Sequence, residues 1–118
     1  MVLLDVEIEQ FGKAMIVRLK GELDHHTAET LKAKMEQALE ENDCHHIVLS
    51  MKDLTFMDSS GLGVILGRYK KIKGRGGQMI VCDVNTGIYK LFEMSGMFKI
   101  VAVEQNENDA LGRLGVVS

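Results

Sequence analysis

The hydrophobic period of this chain first changes near residue 24, and that change limits the architectures open to it. Before it, Leu4, Val6 and Ile8 alternate with Asp5, Glu7 and Glu9, the period-two pattern of a strand with one wet face. Gln10-Phe11-Gly12-Lys13 reads as a turn. Met15, Val17 and Leu19 then alternate with Ile16, Arg18 and Lys20, which predicts a second strand antiparallel to the first. After the change, Ala28, Leu31, Met35, Ala38 and Leu39 fall at helical spacing, with Glu29, Lys32, Glu36 and Glu40 on the other face. A hairpin that hands over to a helix excludes both a helix bundle and an all-β fold.

The pattern then repeats. Asp24 or Thr27 can cap the first helix, and Asn42 lies near its end. Ile47 to Met51 reads as a buried strand, and a second helix is expected from Ser59-Ser60, burying Leu62, Ile65, Leu66, Tyr69 and Ile72. The cluster Gly74-Arg75-Gly76-Gly77 stops it, because glycine accepts the left-handed conformation that ends a helix. Met79 to Cys82 is a strand, Asn85 to Ser95 a helix ended at Gly96, Ile100 to Val103 a last strand, and Asn106 to Leu114 a closing helix. The order predicts an α/β fold with a mixed, mostly parallel central sheet, opened by an N-terminal antiparallel hairpin and carrying about four helices. No linker or internal repeat divides the chain, so residues 1–118 are expected to form a single domain.

Composition removes several function classes. A chain 46% hydrophobic and 26% charged is that of an ordinary globular protein. Its net charge of -3 argues against a general nucleic-acid binder. Cys44 and Cys82 lack CxxC spacing and are too few for a disulfide scaffold, which favours a reducing, cytoplasmic setting. Met1-Val2-Leu3-Leu4-Asp5-Val6-Glu7 has no basic lead before its first acid, so no signal peptide is expected. The longest apolar stretch, Gly61 to Gly67, is far too short to span a bilayer, and no membrane partner is expected.

One stretch differs in kind: Phe56-Met57-Asp58-Ser59-Ser60-Gly61-Leu62-Gly63, between a buried strand and a helix. Such loops are where sites collect in open α/β sheets. Ser59 is expected at or just before the helix N-terminus, where a hydroxyl can accept a backbone N–H bond and free N–H groups favour an anion. Gly61 and Gly63 take side chains away from beside Ser59, so another molecule can approach closely. The acidic loop Gly21-Glu22-Leu23-Asp24-His25-His26 ends the second strand, and topology places it beside the Asp58-Ser59 loop.

Several chemistries could use these residues. The plainest is structural, an N-cap serine with helix-packing glycines. A serine hydrolase needs a G-x-S-x-G elbow, and Met57 stands where its first glycine belongs. A small nucleotide-binding protein could use the Gly61–Gly67 turn, with Asp83 after the next strand, although the third glycine is one place late for G-x-G-x-x-G. Last, Ser59 could accept a phosphoryl group. That would add about −1.5 to −2 charges and three acceptor oxygens at a helix end that suits them.

The run Asp53-Leu54-Thr55-Phe56-Met57-Asp58-Ser59-Ser60-Gly61-Leu62-Gly63 resembles the signature of the anti-sigma factor antagonists, the bacterial STAS domains. Gly21-Glu22-Leu23-Asp24-His25-His26-Thr27-Ala28, Val64-Ile65-Leu66-Gly67-Arg68-Tyr69-Lys70 and Leu91-Phe92-Glu93-Met94-Ser95-Gly96 look closest to the sigma-F branch of that family, from endospore-forming bacilli. The resemblance implies a small α/β fold without catalytic activity and without a cofactor. It implies a partner that is both an anti-sigma factor and an ATP-dependent serine kinase. The unphosphorylated antagonist would bind the kinase with ADP and displace the sporulation sigma factor. Phosphorylation with ATP of the first serine in Asp-Ser-Ser-Gly, here Ser59, would release it, and a serine phosphatase would reset it. By the same matching Asp24, Asp58, Ser60, Gly61, Leu62 and Gly63 belong to the docking surface. The chain departs from the family in the turn after the fourth strand. There a small residue and a proline are expected, and Asp83-Val84-Asn85-Thr86-Gly87 stands instead.

The remaining features carry bland readings. His25-His26 and His45-His46 are adjacent pairs, and neighbours on a strand or helix point apart, so no metal site is expected. Arg68, Lys70, Lys71, Lys73 and Arg75 complement the end of a helix dipole as a solvated face, with no nucleic-acid partner implied. Met35, Met57 and Met79 are expected inside as gap fillers, and Met94 and Met97 outside, on a protein interface.

Overall fold

The computed structural model describes residues 3–115; Met1 and Val2 of the acidic N-terminal stretch lie outside them. Its elements are β1 (Leu4–Phe11), β2 (Ala14–Leu23), α1 (Ala28–Glu41), β3 (His46–Met57), α2 (Ser59–Gly74), β4 (Met79–Cys82), α3 (Thr86–Ser95), a 3-10 turn (Met97–Lys99), β5 (Ala102–Glu104) and α4 (Glu107–Leu114). The strands lie in the order β1-β2-β3-β4-β5. β1 and β2 are antiparallel, joined through Gly12 at φ +60°, and every later pair is parallel.

Sequential strand order has a consequence for the layers. With each parallel crossover turning the same way, the connecting helices stay on one face of the sheet. Leu31 and Met35 of α1, Ile65 and Ile72 of α2 and Phe92 of α3 accordingly share one core with Val17, Leu19, Leu49, Met51 and Val81. The other face has a smaller core, in which Ala110 and Leu111 of α4 cover Ala14, Ile16, Val48, Ile80 and Cys82. All five apolar positions assigned to α1 are buried, as are Met35, Met57 and Met79. Of the α2 set, Ile65 and Ile72 are buried, while Leu62, Leu66 and Tyr69 pack half-buried against the core.

Three expectations need correction. β3 runs six residues past Met51, because its second half pairs with β2 alone, where polar Lys52, Asp53 and Thr55 can face water. β5 begins at Ala102, since the 3-10 turn and Ile100 occupy the chain before it. Met94 is 85% exposed, but Met97 is 5% exposed and belongs to the main core. Asn85 and Asn106 cap α3 and α4, their side chains accepting from the Ile88 and Asp109 N–H at 3.0 and 2.8 Å.

Candidate functional site

The site is built where β2 and β3 end. These parallel strands finish together, with Leu23 paired to Met57, and the Asp58 N–H donates to the Leu23 carbonyl at 3.2 Å. The Asp24 loop is thereby set beside the Asp58-Ser59 loop, as the topology predicts. In the Asp24 loop the carboxylate accepts from the His26 and Thr27 N–H groups at 2.8 and 3.1 Å. Buried Thr27 locks the same turn: its hydroxyl donates to the Glu22 carbonyl at 2.8 Å and accepts from the Asp24 N–H at 3.0 Å. Loss of hydration works against the Asp24 carboxylate, but the bonds from His26 and Thr27 outweigh it and hold its pKa below the usual range. Asp24 is therefore an anion held in a fixed place.

The expected serine cap is corrected by one residue. Asp58, with extended backbone, is the N-cap of α2, and its Oδ1 accepts from the Ser60 N–H at 2.9 Å. Ser59 becomes the first helical residue. It is exposed, and among the described residues its hydroxyl makes no hydrogen bond. A nucleophilic serine needs a base within reach, itself oriented by a third group, and among the described residues no base is hydrogen-bonded to Ser59. It is presented outward, at the end of a helix whose dipole favours negative charge.

The glycines divide in function. Gly61 is buried, and a Cβ there would stand 2.7 Å from Leu23 Cγ and 2.8 Å from Met57 Cγ. Its missing side chain lets α2 settle on the ends of β2 and β3, so close access from outside is not its reason. Gly63 is exposed with open space where a side chain would project. Half-buried Leu62 packs on the core, and half-buried Ser60 faces a cleft of about 390 Å³ between α1 and α2, with Gly63, Gly67, Lys32 and Arg68 in its walls. Arg68 lies off the solvated face assigned to it: it is 12% exposed and stands 3.0 Å from Glu36. The Gly61–Gly67 segment is helical throughout, so it is no turn that could cradle a phosphate. The parallel strand order also never reverses, so the sheet lacks the crevice that holds dinucleotides.

The turn after β4 is the other unusual feature. Asp83 has φ +56°, a left-handed conformation that costs a residue with a Cβ. Its N–H donates to the Gln105 carbonyl, and Asn85 Nδ2 donates to the Leu54 carbonyl at 3.1 Å, tying this turn to β3. Sequence reasoning missed Leu23 and Thr27 as the parts that place the site, because their roles depend on contacts across two loops. The polar residues Asp24 and Thr27, three apart before a helix, were the available signal.

Comparison with known proteins agrees with this fold. Residues 5–110 match the family model described as the STAS domain. The chain is 55% identical to an anti-sigma F factor antagonist of Paenibacillus polymyxa over 98% of both chains. In structure it is similar to the anti-sigma factor antagonist SpoIIAA in its unphosphorylated form, with a TM-score of 0.75 and 29% identity, over 96% of this chain and all of that one. It is also similar to the Bacillus cell fate determinant SpoIIAA in the phosphorylated form, with a TM-score of 0.73 and 31% identity over 92% of this chain and 98% of the other.

Proposed function

Because the chain belongs to the STAS domain family, as an anti-sigma factor antagonist, we propose that Ser59 is a phosphorylation switch on its docking surface. Unphosphorylated, residues 1–118 act as one binding domain that engages an ADP-bound anti-sigma factor with serine kinase activity and frees a sporulation sigma factor. The same kinase, loaded with ATP, transfers the γ-phosphoryl group to Ser59 Oγ. The new bond is P–Oγ, the bond broken joins the γ-phosphorus to its bridging oxygen, and the hydroxyl proton leaves. A serine phosphatase hydrolyses the ester and restores binding. The protein itself is a non-enzymatic cytoplasmic regulator that needs no cofactor and touches neither nucleic acid nor membrane.

The observation that carries this reading is the placement of Ser59, exposed and, among the described residues, without a hydrogen bond, next to the cap Asp58 in a loop that lies beside the Asp24 loop. A docked partner that covers Gly63 and Leu62 must also cover Ser59. A phosphate there puts a buried, unpaired charge into the interface, which costs several kcal/mol. Each ~1.4 kcal/mol is tenfold in affinity, so this amounts to an on/off change. The similarity in fold to SpoIIAA in its phosphorylated form supports this reading.

Intact mass with site mapping tests the proposal, using the cognate anti-sigma kinase, Mg-ATP, and native protein beside Ser59→Ala. One phosphate on Ser59 and none on the variant is the expected result. No phosphate from a kinase shown to be active on another substrate would overturn it. Calorimetry with ATP, ADP and GTP on the isolated protein separates the nucleotide-binding alternative, which requires binding without the kinase.

A further inference from the structure

A second cleft, of about 440 Å³, opens at the other end of the sheet from Ser59, where β4 and β5 begin. Tyr69, Phe98 and Ile100 give it apolar surface, and its charged residues are Lys73, Lys99 and Arg113. No acidic residue lines it, in a chain whose net charge is -3. Arg113 donates to Glu104 at 2.7 Å. Lys73 and Lys99 form no ion pair among the described residues. Both are exposed.

The cleft runs into a sheet edge. Val101 and Ala102 line it, and among the described residues β5 pairs with β4 on one side only. An unpaired edge offers backbone N–H and C=O groups to an added strand. The opposite edge, β1, is longer but carries exposed Asp5, Glu7 and Glu9, which repel an acidic chain. β5 carries one acid, Glu104, which Arg113 already pairs, so charge selects the β5 edge over β1, and backbone pairing selects an extended peptide over a small anion.

We propose that the cleft and the β5 edge form a second docking site, for an extended acidic segment of a protein partner that alternates carboxylate and apolar side chains. Carboxylates meet Lys73 and Lys99, and apolar side chains rest on Tyr69, Phe98 and Ile100. Because the site lies at the far end of the sheet from Ser59, it stays open while that surface is engaged and is indifferent to phosphorylation.

The test uses the full chain and a fluorescent decapeptide alternating Glu and Val, followed by anisotropy at low salt. Saturable binding is expected, weakened more than about tenfold in Lys73→Glu/Lys99→Glu, because like charges then face each other. Ser59→Ala, and the remote charge control Lys20→Glu/Lys34→Glu, should bind as the native protein does. In amide spectra the peptide should shift Val101–Glu104 and leave Leu4–Phe11 unmoved. Absent binding, equal loss in the remote control, shifts confined to β1, or full displacement by inorganic phosphate at matched ionic strength would each overturn the proposal.

Discussion

Leu23 and Met57 face each other as the last paired residues of β2 and β3, and both side chains close over the bare α-carbon of Gly61. This contact couples the start of α2 to the ends of two strands, so Ser59 and Asp24 are held by one piece of packing.

Gly61→Ala tests that packing. Its Cβ would fall within 2.8 Å of the Leu23 and Met57 Cγ atoms, which sit mid-chain and cannot swing aside freely. The expected loss is about 1–3 kcal/mol of unfolding free energy in urea. Gly63→Ala meets open space on an exposed helical position, so it should gain about 0.5–1 kcal/mol. Partner binding should nonetheless fall in Gly63→Ala, since that space lies on the proposed docking surface.

The cap assignment distinguishes neighbouring residues. Asp58 accepts from the Ser60 N–H, whereas the Ser59 hydroxyl bonds to nothing described. Asp58→Ala should therefore cost about 1 kcal/mol of stability. Ser59→Ala should leave the denaturation midpoint within measurement error. An equal cost for both would mean that the serine shares the cap.

Much of this architecture was readable in advance, and the failures have physical reasons. α1 and its core face follow from a clean 3.6 period over Ala28, Leu31, Met35, Ala38 and Leu39. β4 is recognisable because Met79 to Cys82 is wholly buried, which polar residues could not satisfy. The outer half of β3 was hidden because a strand paired on one side only has wet positions, and register shifts in β2 break its alternation. At the site, Asp58 and Ser59 are both good cap residues, and only the backbone decides between them. The packing duty of Gly61 depends on Leu23, far away in sequence, so no local pattern announces it.

Asp83 is a strained position that a glycine would relieve. At φ +56° a Cβ is disfavoured, though aspartate tolerates it better than most residues. Asp83→Gly should change stability by no more than about 1 kcal/mol, toward greater stability, and Asp83→Val should cost about 1–2 kcal/mol. Thermal denaturation of the two variants gives the comparison, and the reverse order would mean that side-chain contacts of Asp83 dominate.

Arg18 makes the fold sensitive to acid. Its Nε and Nη2 donate to both Glu107 carboxylate oxygens at 2.8 and 2.9 Å, and Nη1 reaches Glu9 at 2.9 Å, so β2 clamps the first turn of α4. The Arg18 hydrogen bond, against the cost of desolvation, lowers the Glu107 pKa. A carboxyl whose folded pKa is depressed stabilises the fold above its unfolded pKa, and that contribution is lost as pH falls through the folded value. Glu107→Gln should thus cost about 1 kcal/mol at neutral pH, the pair being partly exposed. The difference from the native protein should close as pH falls through the depressed folded pKa of Glu107, where the carboxyl is protonated in both states. A gap that persisted there would assign the cost to lost packing.

Ser59→Asp separates two ways in which a charge could switch binding. If the negative charge acted by loosening the domain, the variant would unfold earlier. The geometry argues otherwise, because residue 59 is exposed in the first turn of α2, and a carboxylate there meets the positive end of the helix dipole. Stability should hold within about 0.5 kcal/mol or rise slightly. Binding to the anti-sigma partner should fall at least about tenfold, less than a full phosphate would cause, since one carboxylate carries a single charge. Calorimetric titration with the partner, beside urea denaturation of the same sample, reads both quantities. Native-like affinity with native-like stability would refute charge exclusion at this surface, and weakened affinity with lowered stability would move the switch into the fold itself.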